Sequence, residues 1–146
     1  APDGLAPYRA NWGLDNRSTM VRIPPERGAG ARLELRIGDG AANPYVMSAA
    51  ILAAAYDGIA RKIVPPAMSE GWTHEETHTA LLPDNFTAAL DALEADSALK
   101  DIMGAEFVET FIALKRDEIE RYTAESSDPD TRETTQWELD EYLLDY

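Results

Sequence analysis

The sequence predicts an α+β chain: an antiparallel β-hairpin contributed to a larger sheet, packed by several helices and mostly helical after residue 43. Three features predict it. Short β-like runs flank a Pro- and Gly-rich loop before residue 40. A helix start, Asn43-Pro44, follows the second run. From Phe86 onward apolar residues recur at 3–4 spacing.

Residues 1–16 contain Pro2, Gly4, Pro7 and Gly13 and read as an ordered loop or irregular strand. Thr19–Ile23 is β-like. The segment from Pro24 to Gly30 is a loop, with prolines to break and glycines to turn. Ala31–Ile37 is the second strand, closed by a Gly38-Asp39-Gly40 turn. A two-stranded hairpin is marginal alone, so the sheet is expected to continue into further strands.

Asn43 caps a helix with Pro44 at its first position. The helix runs to about Lys62, where Arg61-Lys62 suit its dipole and Pro65-Pro66 stop it. Its many alanines call for close packing against a sheet or another helix. Residues 67–83 form a polar connection with one helical turn. Asp84 caps the next helix, with Phe86, Ala89, Leu90 and Leu93 on one face. A break at Asp96-Ser97 precedes Ala98–Met103, and Gly104 punctuates. Ala105 to about Tyr122 is a long amphipathic helix carrying Phe107, Val108, Phe111, Ile112, Leu114 and Ile119. Residues 126–130 are a linker. From Thr131 a last amphipathic helix carries Trp137, Leu139, Tyr142, Leu143 and Tyr146. No internal repeat and no second domain is apparent. Residues 1–42 are expected to carry the site and 43–146 to form the helical part.

The 146 residues are 45% hydrophobic, enough for one folded domain with a core. No apolar run approaches the roughly 18 residues that cross a bilayer, and no signal-like segment opens the chain. A first residue of Ala reads as a processed chain or a piece of something longer. The lack of cysteine removes disulfide and thiol chemistry and leaves the cytoplasm as the default compartment. A formal charge of −14 argues against nucleic acid or an anionic membrane as partner. The charge is uneven. Residues 1–37 hold six Arg against four Asp or Glu, whereas the remainder holds seven basic and 23 acidic residues.

The basic region carries the candidate chemistry. Strand alternation puts Arg32, Glu34 and Arg36 on one face and Leu33, Leu35 and Ile37 on the other. Arg17 and Arg22 lie just upstream. Guanidinium forks take phosphate oxygens in pairs, and a carboxylate can hold the hard cation that bridges them. The competing reading is a solvated strand face laced with ion pairs. A second motif, His74-Glu75-Glu76-Thr77-His78, matches a zinc-protease pattern literally. It sits between Gly71 and Pro83, has no apolar face to bury, and finds in Glu94 only a nominal third ligand. It reads as an exposed connection with two chance histidines.

The ordered blocks Asn16-Arg17, Arg22-Ile23-Pro24, Glu34-Leu35-Arg36 and Asn43-Pro44-Tyr45, the last leading into the Ala-rich helix and Asp57-Gly58, resemble the C-terminal part of the glutamine synthetase catalytic domain. The resemblance continues through Leu82-Pro83, Lys115–Glu120 and Trp137-Glu138 and covers essentially the whole chain. It implies an ATP-dependent ligase that joins the glutamate γ-carboxylate to ammonia or an organic amine through a γ-glutamyl phosphate. By the same resemblance Arg17, Arg22 and Arg32 contact the ATP phosphates, with Arg17 nearest the phosphoryl group transferred. Glu34 ligates a divalent ion, Mg2+ or Mn2+. Arg36 orients the glutamate, and Arg17 and Arg36 are the catalytic pair. The family forms homo-oligomeric rings with sites between subunits, and its remaining ligands lie on segments before this one. The isolated chain is therefore expected to be inactive.

Three departures sharpen the resemblance. The flap position that carries a glutamate in the family is Leu5 here, which suits a larger amine, with Asp3 as a neighbouring substitute. The run Arg36-Ile37-Gly38-Asp39-Gly40 replaces the usual Arg-Phe-Pro-Asp. With Asn11-Trp12-Gly13-Leu14-Asp15-Asn16-Arg17, it looks more like the γ-glutamyl-amine ligases, such as γ-glutamylputrescine synthetase. A basic residue of the family's nucleotide site falls on Ala29, with Arg27 as its nearest stand-in. The alternative from another class is a catalytically degenerate scaffold or regulatory binder.

Overall fold

The computed structural model describes residues 6–126 and 133–143. The chain divides into two compact units, one ending at Phe86 and one beginning at Thr87.

The first unit is built on a three-stranded sheet in the order β1-β2-β3. Its strands are β1 (Trp12–Leu14), β2 (Val21–Ile23) and β3 (Glu34–Leu35). The β2–β3 pair is the expected antiparallel hairpin, with Arg22 opposite Glu34 and Val21 opposite Leu35. It is shorter than the sequence suggested. Arg32 turns back onto its own loop, donating to the Gly30 carbonyl at 3.2 Å, and the ladder begins only at Glu34.

The third strand comes from the segment read as loop or irregular strand. Trp12, Gly13 and Leu14 pair in parallel with Val21, Arg22 and Ile23. Parallel neighbours usually need a crossover of about a dozen residues or more, yet here only residues 15–20 intervene. The tight return has visible causes. Asp15 takes a left-handed backbone conformation, φ 47°, which Asp tolerates better than most residues. The Asn16 side chain accepts from Ser18 N at 2.9 Å, and Thr19 Oγ1 bonds the Asn16 and Val21 carbonyls at 2.8 and 3.0 Å.

The polar connection then closes onto this turn. Residues 66–82 are tied to residues 8–18 by a series of bonds. Trp12 Nε1 donates to Pro66 O, Ser69 N to Trp12 O, and Asn16 Nδ2 to Gly71 O, at 2.8, 2.9 and 2.7 Å. Thr73 Oγ1 donates to Ser18 O at 2.6 Å, Ala10 N to Ala80 O and Leu82 N to Tyr8 O at 2.9 Å each. Gly13 permits the approach. A Cβ there would stand 2.9 Å from the Ser69 carbonyl oxygen.

The helix α1 (Pro44–Ala60) starts as expected, with Asn43 Oδ1 accepting from Tyr45 N and Val46 N at 3.0 and 3.2 Å. Only Ala53 on it is buried, while Tyr45, Leu52, Tyr56 and Ile59 are exposed. The close packing expected of its small residues is not made among the described residues.

The second unit is helical. It contains α2 (Phe86–Ala95, from its second residue), α3 (Ser97–Met103), α4 (Ala105–Glu125) and α5 (Gln136–Tyr142). Asp96 caps α3 through Leu99 N at 3.0 Å, and Gly104, at φ 95°, separates α3 from α4. Leu90, Val108 and Ile112 form the core, with Leu93, Met103, Phe111 and Ile119 packed against it. Thr135 and Glu138 form a reciprocal capping box at the start of α5. Tyr142 then donates to the buried Glu118, which also takes Lys115 Nζ at 2.6 Å. Residues 127–130 of the expected linker, and Tyr146, lie outside the described residues.

Candidate functional site

Cross-strand register assembles the charged residues. Because Arg22 faces Glu34 across the hairpin, its Nη1 meets Glu34 Oε2 at 2.7 Å. Arg32 reaches the other oxygen, Oε1, at 3.1 Å, and Glu26 at 3.3 Å. On its far side Arg22 is held by Asp15, through Nε at 3.0 Å and through Nη2. The hydrogen bond from Arg22, and then the charges of Arg22 and Arg32, outweigh desolvation and hold the Glu34 carboxyl below its usual range. Asp15 first, then Glu34, hold Arg22 more firmly protonated than an ordinary arginine.

Arg17 projects from the tight return between β1 and β2. With Leu14, Asp15, Asn16, Arg22 and Gly71 it lines an open cleft of about 610 Å³. Arg36 sits after β3, half-buried, and its Nη1 is shielded from solvent with no hydrogen-bond partner among the described residues. The structure thus brings Arg22, Arg32 and Glu34 into one ion-paired cluster and puts Arg17 beside Arg22 in the cleft. It shows no polar contact between Arg36 and that cluster.

The other sequence candidates resolve differently. Arg27 folds back to the Pro24 and Glu26 carbonyls at 2.8 and 3.0 Å. The His74–His78 stretch forms a single 3-10 turn, Thr73–Glu75, too short to present two imidazoles on a helical face. His74 stacks on Trp72 with centroids 4.2 Å apart. Glu76 is the anchor of this stretch, its side chain 7% exposed. It accepts from Ser69 Oγ at 2.6 Å and Asn11 Nδ2 at 2.7 Å, and pairs with His78 at 2.6 Å. Leu5 and Asp3 lie outside the described residues.

Sequence reading missed two contributors to the site. Asp15 carries no periodic signal, because it sits in a turn and its partner is seven residues away. The brace from residues 69–79 is invisible for a similar reason: Ser18, Thr73 and Asn11 are polar residues that act by bonding to distant backbone or to one another. The nearest sequence signal was the density of Asn, Asp, Ser and Thr between residues 11 and 19.

A strand-borne Arg-Glu cluster lies beside a cleft lined by Arg17 and Arg22, whose guanidinium donors are of the kind that suit an anion. Comparison with known proteins gives the chain a family. Residues 1–142 match the family described as glutamine synthetase, catalytic domain, and the chain belongs to it. The glutamine synthetase of Pyrococcus horikoshii is 40% identical over 154 residues, covering 98% of this chain and 34% of that protein. The Thermus thermophilus glutamine synthetase is 35% identical over 152 residues, covering 99% and 32%. The chain therefore spans about a third of the length of these relatives. Among solved structures, one described as apo GmaS without ligand superposes with a TM-score of 0.73 at 38% identity, over 94% of this chain and 30% of that one. A GmaS/ADP complex matches with the same score and identity.

Proposed function

We propose that this chain supplies the phosphate-gripping part of an ATP-dependent glutamate ligase. The observation that carries the reading is the placement of Arg22 between Glu34 and the cleft that Arg17 lines. Phosphoryl transfer to a carboxylate demands positioning and charge neutralisation, for which these side chains suit. Arg17, Arg22 and Arg32 would hold the ATP phosphates, with Arg17 nearest the group transferred. Arg36 would orient the glutamate through its guanidinium, the side-chain type that takes a carboxylate in paired hydrogen bonds.

A divalent ion, Mg2+ or Mn2+, would bind at Glu34. A carboxylate is the right donor for a hard cation, and each Glu34 oxygen keeps a lone pair beyond its arginine contact. The described residues hold no group of three or more His, Cys, Asp or Glu that could hold a metal. Glu34 is thus one ligand among several, and phosphate oxygens, water and other segments would supply the rest. The ion would neutralise phosphate charge.

The product bond would form when nitrogen attacks a γ-glutamyl phosphate. An organic amine is slightly favoured over ammonia, on the Asn11–Arg17 run and on Leu5. The likeness to the GmaS structures covers the same residues without deciding the acceptor. The domain would be the C-terminal portion of the catalytic domain in a cytoplasmic homo-oligomeric ring, with residues 1–42 carrying the site, and inactive as an isolated segment. No helix among the described residues is long and apolar enough to cross a membrane. The scaffold alternative draws on the fact that Arg22 and Arg32 already have carboxylate partners.

The test is Mg-ATP binding and phosphate release by the full-length protein with glutamate, comparing ammonium with putrescine, other polyamines and ethanolamine. We expect binding to weaken at least about tenfold in Glu34→Ala and in Arg32→Ala, the scale of one charge-assisted contact. Unchanged affinity in both variants would favour the scaffold. Turnover with ammonium alone would assign glutamine synthesis.

A further inference from the structure

We propose that Asp15 is a positioning residue for the phosphate-gripping Arg22, an inference that rests on the function proposed above. Among the described residues lining the cleft Asp15 is the only carboxylate, and carboxylates are out of place beside a polyphosphate unless they serve another group. Its contacts show which group. The Asp15 carboxylate takes both Nε and Nη2 of Arg22, while Glu34 takes Nη1 from the neighbouring strand.

A guanidinium has five N–H donors in a rigid plane. Three are engaged by these two carboxylates, so the plane of Arg22 is fixed in two directions and its other two N–H groups stay available to a ligand. Glu34 alone would leave the plane free to rotate about one contact. Under the proposed function Glu34 would also share its charge with the divalent ion, which would weaken the attraction it exerts on Arg22. Asp15 then becomes the contact that keeps Arg22 aimed at the phosphates.

The backbone supports a dedicated role. Asp15 stands at φ 47°, and its N–H donates to the Ile23 carbonyl at 2.8 Å, tying the turn to the end of β2. The side chain is thereby carried back over the β2 residue that precedes Ile23, which is Arg22. More than half of the Asp15 side chain is exposed, at 56%, so its removal opens no cavity. Asp15→Gly keeps the left-handed backbone available and deletes only the carboxylate. Asp15→Asn also tolerates that backbone and keeps one acceptor oxygen for Arg22.

The full-length protein and both variants are compared by calorimetric Mg-ATP binding, by separate KM values for Mg-ATP and glutamate, and by thermal melting. In Asp15→Gly we expect the Mg-ATP KM to rise about tenfold, the scale of a lost charge-assisted fork. The glutamate KM and the melting temperature should stay as they were. Asp15→Asn should recover most of the loss. A fall in the Mg-ATP KM in both variants would show that Asp15 merely repels phosphate, and no change in either would make it a surface ion pair. Both results overturn the proposal while leaving the site reading intact. Failure of the unaltered protein to bind Mg-ATP overturns the site reading and the proposal with it.

Discussion

The two units bury different chemistry. In the second, the buried residues among those described are apolar except for Glu118: Leu90 on α2 and Val108 and Ile112 on α4, which form one core. In the first, the buried residues that can hydrogen-bond through their side chains outnumber the apolar ones. Asn11, Ser18, Thr19, Ser69, Thr73 and Thr79 are all buried there, against Ala53 as the core aliphatic. Apolar packing is non-directional and stabilises a surface of contact. Hydrogen bonds are directional and fix particular atoms. The unit that carries Arg17 and Arg22 is the one held by directional bonds.

The largest test of this contrast is Ile112→Ala. Truncating a core isoleucine should cost about 3 kcal/mol, from lost transfer energy plus the cavity left. Hydrogen exchange on the full-length protein should show the loss of protection concentrated in α3 and α4. An equal loss across residues 8–18 would mean that the two units unfold as one.

A smaller effect is expected from Thr73→Val, which keeps the shape and removes the hydroxyl. Thr73 Oγ1 donates to Ser18 O at 2.6 Å and lies 3.1 Å from Ser18 Oγ. Leaving the buried Ser18 carbonyl without this donor should cost about 2 kcal/mol, while Ser18 Oγ keeps Asn16 Oδ1 and Thr73 N. Because Ser18 follows Arg17 directly, the same substitution should weaken Mg-ATP binding, whereas Ile112→Ala should leave it alone at temperatures where the protein is folded. Equal effects of the two on binding would remove the distinction drawn above.

The same contrast governs what could be read from the chain. The helices were legible because caps and apolar periods are local signals: Asn43 before α1, Asp96 before α3, Gly104 before α4, and the Val108–Ile112 stripe. The hairpin was legible from alternation, and with it the nearness of Arg32 to Glu34. The cross-strand partner of Glu34 is Arg22, which alternation along one strand does not name, and Arg36, expected on the same face, makes no polar contact with them. What escaped depends on contacts between distant segments. Strand β1 is three residues long, too short to show a period, and pairs in parallel through a return that general rules disfavour. The ties from residues 66–82 to residues 8–18 join single polar atoms and leave no repeating pattern. Asp15 escaped because its value lies in reaching Arg22, which no spacing rule for strands or helices encodes.

The smallest expected effect appears only at the ends of the pH range, and it separates the units by sign. In the first unit the Glu76 carboxyl is pushed up by burial but brought below its usual range by the Ser69 and Asn11 hydrogen bonds, the charge of His78 and Thr79. A carboxyl with a depressed folded pKa stabilises above its unfolded value of about 4.5 and loses that contribution as pH falls through the folded value. In the second unit the Tyr142 hydroxyl is raised by burial first and by its bond to Glu118 second. Its contribution is complete below its unfolded value of about 10 and is lost as pH rises beyond that. Glu141 in the same unit is also depressed, chiefly by its hydrogen bond from Arg121, but as an exposed pair it is screened and adds little to the acid limb. Melting temperature against pH should therefore lose part of its acid limb in Glu76→Gln and part of its alkaline limb in Tyr142→Phe. If Tyr142→Phe left the alkaline limb unchanged, the Tyr142–Glu118 bond would carry none of the pH dependence of the second unit, and the difference in sign between the units would not hold.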